Sequence, residues 1–421
     1  MTSVSEQALP PGLQLATACR VCGSQDLARV LDLGATPLAN SLRLPNAGDP
    51  PDLYPLDVLR CRSCSLVQLG QVVDPGLLFS DYVYFSSYSD TMLRHAETMA
   101  KELIAKCGLD ADSLVVEVAS NDGYLLQFFQ RRGVPVLGIE PARNIASHAE
   151  ARGISTLAEF FDQRLARRLA IEGRLADVLI GNNVLAHVPD LSGFAEGVRL
   201  LLRPEGVAVF EVPYVRDMLD KLEFDTIYHE HQCYFSLTAL QALFQRHELD
   251  VTDVERLDIH GGSLRVFVSH AGAEPASDRA VHLLDEEAAW GAGEDRAYDD
   301  FAQRVQALKH DLADLVARLR ADGRRVAAYG AAAKGVTLAS FCGLAPYLEY
   351  VVDRSPHKQG RLFPVGDLPI YPATRLEQDR PDYTLLLTWN FAAEIREQQA
   401  SYEAAGGHFI LPVPSPRILE A

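Results

Sequence analysis

The chain has 421 residues, 48% of them hydrophobic and 23% charged, and a formal net charge of −18. A chain of this length has room for two or three cores, and its acidity excludes nucleic acid and anionic membrane surfaces as partners. No apolar run reaches the roughly 18 residues that a membrane-spanning helix needs, and the opening MTSVSEQALPPG has no basic-then-apolar export signal, so the expected compartment is the cytoplasm, with reduced thiols.

Reduced thiols leave seven cysteines to explain. Four of them stand as Cys19-x-x-Cys22 and Cys61-x-x-Cys64, two knuckles that offer four thiolates to one Zn²⁺ as in zinc ribbons. The 38 residues between the pairs exceed the roughly 15–20 usual for such ribbons, and unrelated buried pairs or disulfides are the competing account. Gly23 suits a tight knuckle turn. Four cysteine ligands leave no open position, so the metal is expected to be structural. Residues 1–80 then form a small, loop-rich module that needs the metal as a staple. Cys107, Cys233 and Cys342 stand alone and read as small core residues.

The stretch Leu78–Met92, LFSDYVYFSSYSDTM, is dense in Tyr, Phe and Ser. Its Tyr82, Tyr84, Ser87 and Tyr88 are candidates to line a polar cleft, although aromatic clusters more often pack than bind. A helix over Leu93–Cys107 follows and leads into the middle of the chain.

Residues 81–272 alternate short apolar runs with helical stretches, the pattern of a parallel sheet covered on both faces. Leu114–Val118 reads as a strand, Ala119–Gly123 as a tight turn, and Tyr124 and Leu125 as the opening of a helix. Such a turn presents backbone N–H groups to a ligand. It carries Glu117, Asn121 and Asp122, so it repels a pyrophosphate and suits a cation. S-adenosylmethionine (SAM) offers a sulfonium, an amino group and a ribose. Glu140, 23 residues after Glu117 and followed by Pro141, ends the strand Val136–Ile139 and is placed to hold two ribose hydroxyls. The glycine spacing E-x-G-x-G-x-G appears only as Glu117-x-Ala119-x-Asn121-x-Gly123.

Ligands on parallel sheets lie beyond the carboxyl ends of the strands. Asn182, Asn183 and His187 follow the strand Asp177–Gly181, and Tyr214 follows Val207–Val212. Ser236 is an expected N-cap for the helix Ser236–His247. Val251–Leu257 and Ser263–Ser269 read as a closing antiparallel hairpin joined through His260-Gly261-Gly262. With six strands assigned, the pattern matches a class I methyltransferase core, which has seven.

The segment Ile227–Ser236, IYHEHQCYFS, concentrates acid–base side chains. On an extended backbone His229 and His231 share one side and Tyr228 and Glu230 the other; a turn mixes them. Histidine matches proton transfer near neutral pH. A metal reading of H-x-H plus Glu and a purely structural His/Tyr cluster are the alternatives.

Residues 273–421 begin with a helix-rich linker, Asp278–Arg320, and continue as a second α/β unit with strands Arg325–Ala328, Leu348–Val352 and Tyr383–Thr388. Gly330, Lys334 and Lys358 make the first turn of this unit basic, which suits a diphosphate; Asn390 stands past the third strand. An acidic pocket and a basic pocket in one chain imply two cosubstrates. The turn lacks G-x-G-x-x-G, so a dinucleotide is only weakly indicated.

The two C-x-x-C pairs, GATPLANSL, LFSDYVYFSSYSD, EVASNDGYLLQFF, GIEPA, NNVLAHVPDL, YHEHQCYFS, HGGSLRVFV, YGAAAKG and TWNFA together resemble the SAM-dependent sugar C-methyltransferases of deoxysugar biosynthesis, with those that methylate C3 of nucleotide-linked keto-sugars in the tetronitrose pathway as the nearest comparison. The resemblance runs from Cys19 to about Pro416. It implies an α/β chain of three domains: a zinc-binding N-terminal module, a class I Rossmann-like SAM methyltransferase core and a C-terminal Rossmann-like nucleotide-binding domain. It implies SAM and structural Zn²⁺ as cofactors and a nucleotide-diphosphate-sugar, dTDP-linked, as partner. Family roles fall on Tyr82, His187, Tyr228, Glu230 and His231. His231 is the base that forms an enolate, Tyr228 and His187 hold the keto oxygen, and Glu230 orients the histidine or a sugar hydroxyl. Methylation of oxygen or nitrogen on a similar sugar, a non-catalytic SAM- and nucleotide-binding protein, and an NAD-dependent dehydrogenase are the rival readings; the first needs no enolate.

Overall fold

The computed structural model describes residues 12–46, 48, 50–74, 77, 78, 87 and 90–420. Tyr82, Tyr84 and Tyr88 lie outside them. Near the N-terminus, β1 (Leu13–Leu15) pairs with β5 (Gln71–Val73). A four-stranded antiparallel sheet joins β2 (Leu27–Pro37), β3 (Leu53–Cys61), β4 (Val67–Leu69) and β11 (Cys233–Tyr234) in the order β11-β4-β3-β2. Along β3 buried residues alternate with more exposed ones from Tyr54 to Arg60, as a half-buried strand requires. The edge strand β11 arrives from some 160 residues further along the chain and follows directly on the Tyr228–His231 segment.

The central sheet has seven strands: β6 (Val115–Val118), β7 (Val136–Ile139), β8 (Thr156–Leu157), β9 (Ala176–Asn182), β10 (Leu202–Pro213), β12 (Leu249–Leu257) and β13 (Ser263–His270), in the order β12-β13-β10-β9-β6-β7-β8. Only β13 runs antiparallel to its neighbours. All four residues of β6 are buried, as expected of a strand covered on both faces. The strand order reverses between β6 and β9, which opens the crevice where such sheets bind ligands. The helix expected from Tyr124 begins at Leu126, whereas Ser236 caps its helix as expected, its side chain accepting from the Ala239 N–H at 3.1 Å.

The C-terminal sheet repeats the plan. It contains β14 (Val326–Tyr329), β15 (Val351–Asp353), β16 (Leu362–Phe363), β17 (Leu368–Pro372), β18 (Tyr383–Leu386), β19 (His408–Leu411) and β20 (Arg417–Ile418), ordered β16-β17-β15-β14-β18-β19-β20. The expected helical linker is two helices, Asp278–Trp290 and Asp295–Ala321, separated at Gly291, whose φ of 90° ends the first. The second helix buries Tyr298, Phe301, Val305, Leu308, Leu312 and Val316, one stripe at helical spacing. That stripe shares a core with Val30, Leu56 and Val58 of the N-terminal sheet, Ile227 of the histidine segment, and Val326 of β14. The two ends of the chain therefore pack on the same middle segment.

Candidate active site

β6 delivers Glu117 to the centre of the sheet, and the turn after it holds Ala119, Asn121 and Gly123 at φ of 54°, 49° and 77°. This is the left-handed region that favours glycine. The backbone has thus kept the shape of the glycine-rich spacing while two of its glycines are replaced. Gly123 is required twice over, since a Cβ there would also meet Ile154 Cγ1 at 2.9 Å. Glu140 clamps the turn: Oε2 accepts the Asn121 N–H at 3.0 Å and Oε1 the Ala142 N–H at 2.8 Å. Tyr124 and Leu125 are buried beneath it, and Pro141 is half-buried.

The turn is less anionic than its composition suggests. Burial, with Glu140 and Asp122 nearby, raises Glu117 well above the usual carboxylate range. Asp122 is paired with Arg152 at 3.0 Å and accepts from the Ser87 hydroxyl. Ser87, expected against the substrate, therefore lies on the cofactor turn. Glu117 Oε2, Ser120 Oγ, Asp122 Oδ1 and Asn182 Oδ1 are buried with no hydrogen-bond partner among the described residues. Such orphans are costly unless a ligand or water pairs with them. Clustered at the ends of β6 and β9, they fit a ligand with hydroxyls and an amino group, as SAM has. Asn183 takes a left-handed turn, φ 56°, after β9.

Residues 228–231 form a turn closed by the His231 N–H on the Tyr228 carbonyl at 2.9 Å. A turn brings residues i and i+3 together, so Tyr228 joins His231, and the pairing of His229 with His231 expected of an extended segment does not occur. His229 points away, its Nε2 3.0 Å from the Pro55 carbonyl, and burial lowers its pKa. His231 Nδ1 lies 2.9 Å from the Thr226 carbonyl oxygen, and Nε2 lies 2.8 Å from the Tyr228 hydroxyl. A carbonyl only accepts, so Nδ1 carries the proton and Nε2 presents the lone pair; this tautomer is assigned from the partners. His187, from the turn after β9, stands edge-on to His231 with centroids 4.8 Å apart, and burial lowers it to about 4, which keeps it neutral.

Glu230 Oε1 accepts from Asn40 Nδ2 at 2.6 Å, and burial raises its carboxyl to about 7. Orientation of the histidine, expected of Glu230, falls to the Thr226 carbonyl instead. Asn40 and Thr226 are polar residues that sequence reasoning missed; Asn40 stood inside GATPLANSL, a motif noted only as a whole. Tyr214, expected at the substrate, is 1% exposed and belongs to the apolar core, with Arg256 5.3 Å from its ring centroid.

In the C-terminal domain, Lys334 Nζ is 3.8 Å from Glu223 and 5.3 Å from the Trp389 ring centroid. Lys358 donates to the Ala331 carbonyl at 2.9 Å and lies 3.5 Å from Asp353. The basic turn expected here is thus matched by carboxylates, one of them supplied by the preceding domain. Gly330 packs so closely on Thr388 that a Cβ there would clash, and Asn390 is exposed.

Cys19, Cys22, Cys61 and Cys64 converge with every Sγ within 4.8 Å of the others, and two Sγ–Sγ distances are 3.5 Å. Tetrahedral Zn²⁺ with bonds of about 2.3 Å places its sulfurs about 3.8 Å apart, whereas a disulfide needs about 2.05 Å. The four thiols fit the metal. Both knuckles turn alike: the Gly23 N–H returns to the Cys19 carbonyl at 2.9 Å and the Ser65 N–H to the Cys61 carbonyl at 3.0 Å, with φ of 72° and 62°.

Three family models match in succession: "Putative zinc binding domain" over residues 19–79, "Methyltransferase domain" over 92–254 and "C-methyltransferase C-terminal domain" over 258–414. C-methyltransferase NovU of Streptomyces niveus is 39% identical over 410 residues, covering 96% of this chain and 97% of that protein. The chain belongs to the SAM-dependent C-methyltransferase family. Parts of this C-methyltransferase are also similar to two solved structures. Magnesium protoporphyrin IX methyltransferase of Synechocystis PCC 6803, with bound SAM, shares 14% identity over 45% of this chain and 86% of that one, TM-score 0.33. The 1,6-didemethyltoxoflavin-N1-methyltransferase of Burkholderia thailandensis shares 19% over 42% and 78%, TM-score 0.32. No helix among the described residues of the C-methyltransferase is long and apolar enough to cross a membrane.

Proposed function

We propose that this C-methyltransferase methylates C3 or C5 of a dTDP-linked 4-keto-deoxysugar in the cytoplasm, with His231 Nε2 as the base that forms an enolate. The observation that carries the reading is the tautomer of His231, whose lone pair faces the Tyr228 hydroxyl while its Nδ1–H is held by Thr226. Residues 1–80 are the zinc module, 81–272 hold SAM, and 273–421 receive the nucleotide diphosphate through Gly330, Lys334, Lys358 and Asn390. SAM supplies an electrophilic methyl group when bound at the Glu117–Leu125 turn, with Glu140, Pro141, Asn182 and Asn183 around it.

A proton beside a ketone is far too weakly acidic for histidine alone, so the growing oxyanion needs aimed donors. The Tyr228 hydroxyl takes that role: the keto oxygen draws its O–H away from His231 Nε2, which frees the lone pair there for the proton, while His187, whose one proton faces the Glu230 carbonyl, packs edge-on to His231. As Nε2 gains the proton, the Thr226 carbonyl stabilises the imidazolium through Nδ1–H. Glu230, held by Asn40, orients a sugar hydroxyl.

Heavy-water exchange tests this. Purified enzyme with S-adenosylhomocysteine and nucleotide-linked 4-keto-sugar is expected to exchange the proton beside the ketone, read by NMR, and His231→Asn to abolish exchange. A product that keeps that hydrogen and carries its methyl on oxygen overturns the proposal.

A further inference from the structure

We propose that Thr337 and Trp389 of the C-terminal domain are positioning residues for His231, acting through the carbonyl of Thr226; the proposal rests on His231 being the base. Thr226 ends a short helical turn, Phe224–Thr226. The residue before it, Asp225, is fully buried, and its Oδ2 accepts from Trp389 Nε1 at 2.6 Å. The residue after it, Ile227, has its carbonyl bonded by Thr337 Oγ1 at 2.9 Å, itself a buried side chain. A third tie sets the Phe224 ring 5.3 Å from that of Phe341. Between these ties, the Thr226 carbonyl accepts from His231 Nδ1 at 2.9 Å.

The turn is thus gripped on both sides of the one carbonyl that decides which nitrogen of His231 is basic. If the turn rotates, Nδ1–H loses its acceptor and the tautomer with Nε2 protonated becomes competitive. That form has no lone pair toward Tyr228. Adhesion between domains alone does not require polar contacts at these two backbone positions; Phe224, Ile227, Val336 and Phe341 already bury apolar surface there. The C-terminal domain therefore serves the chemical step as well as substrate binding.

Thr337→Val removes the hydroxyl while keeping the shape, Thr337→Ser restores it, and Trp389→Phe removes the indole N–H and narrows the ring. On the full chain with wild-type zinc content and a cooperative melt, Thr337→Val and Trp389→Phe are each expected to lower kcat about tenfold or more, with KM for SAM and for the nucleotide-sugar unchanged, because a group that acts only on the chemical step lowers kcat and kcat/KM together. Thr337→Ser is expected to recover most of kcat. Nitrogen NMR of histidine-labelled enzyme is expected to show wild-type His231 protonated at Nδ1 and a mixed tautomer in Thr337→Val. Should Thr337→Val not fold, Trp389→Phe carries the test. Unchanged kcat in the folded variants, a loss confined to KM, or a loss that serine does not recover overturns the positioning role. Full exchange in His231→Asn overturns the base assignment itself, so the two failures are distinct.

Discussion

Glu140 Oε2 accepts the backbone N–H of Asn121 at 3.0 Å, tying the end of one strand to the turn that follows its neighbour. The C-terminal domain repeats the device: Asp353 Oδ2 accepts the Ala331 N–H at 2.8 Å, and each acid also accepts the N–H two residues further on, Ala142 and Ser355, at 2.8 Å. An acid at the end of the second strand therefore shapes the ligand turn in both domains.

Glu140→Ala removes the clamp and, with it, the acceptor proposed for a ribose. SAM affinity is expected to fall by roughly 1–3 kcal/mol, the range for losing a buried hydrogen-bond partner, with Asp353→Ala leaving it unchanged. Calorimetry decides; intact SAM affinity in Glu140→Ala refutes the assignment.

Ala119 adopts φ 54° without being glycine. A left-handed L-residue costs roughly 1–2 kcal/mol, and glycine returns roughly 0.5–1 kcal/mol of that through unfolded-chain entropy. Ala119→Gly should thus stabilise by about 0.5–1 kcal/mol in urea unfolding. Gly123→Ala, with φ 77° and Ile154 in the way, should destabilise by more than about 2 kcal/mol. A stabilised Gly123→Ala variant contradicts this geometry.

The cysteine cluster predicts one zinc per chain, measured by elemental analysis of protein purified without added metal; less than half an equivalent sinks it. Arg20, inside the first knuckle, donates to the carbonyls of Leu69 and Gln232 at 3.2 and 3.1 Å, and Gln232 follows His231. Chelation is therefore expected to lower Tm and turnover together. SAM affinity, proposed to be set at the Glu117–Leu125 turn, should change less.

Glu230 offers a test by pH. Burial raises its carboxyl from 4.5 to about 7. Between those values the folded state holds a proton that the unfolded state releases, so stability from this group is full below the lower value and lost as pH rises through the upper one. Glu230→Gln keeps an acceptor for Asn40 and cannot ionise. Relative to wild type it should gain roughly 2–3 kcal/mol between pH 5 and 8, in line with about 1.4 kcal/mol per pKa unit. Urea unfolding at the two pH values checks it; a constant difference rejects the buried, titrating Glu230.

Patterns set by nearest neighbours were legible in the chain itself. The apolar run of β6, the Ser236 cap and the Cys-x-x-Cys knuckles each depend on residues a few positions apart, where spacing and backbone geometry decide the outcome, and the acid Glu140 follows from the length of one strand–helix–strand unit. The glycine departures at Ala119 and Asn121 were visible too, though not that the backbone would keep the glycine conformation there.

What tertiary structure alone decided is the state of the charges and the facing of the histidines. Asp122 is matched by Arg152, 30 residues away, Glu230 by Asn40, 190 away, and Asp225 by Trp389, 164 away. A turn, rather than an extended run, joined His231 to Tyr228 and left His229 on the zinc module. An ionisable group's pKa and tautomer follow from desolvation and from partners within a few ångströms, and those partners come together only when distant segments pack. The sequence by itself determined which elements form and where acid–base side chains gather; packing determined how those side chains pair and which nitrogen of His231 holds the proton.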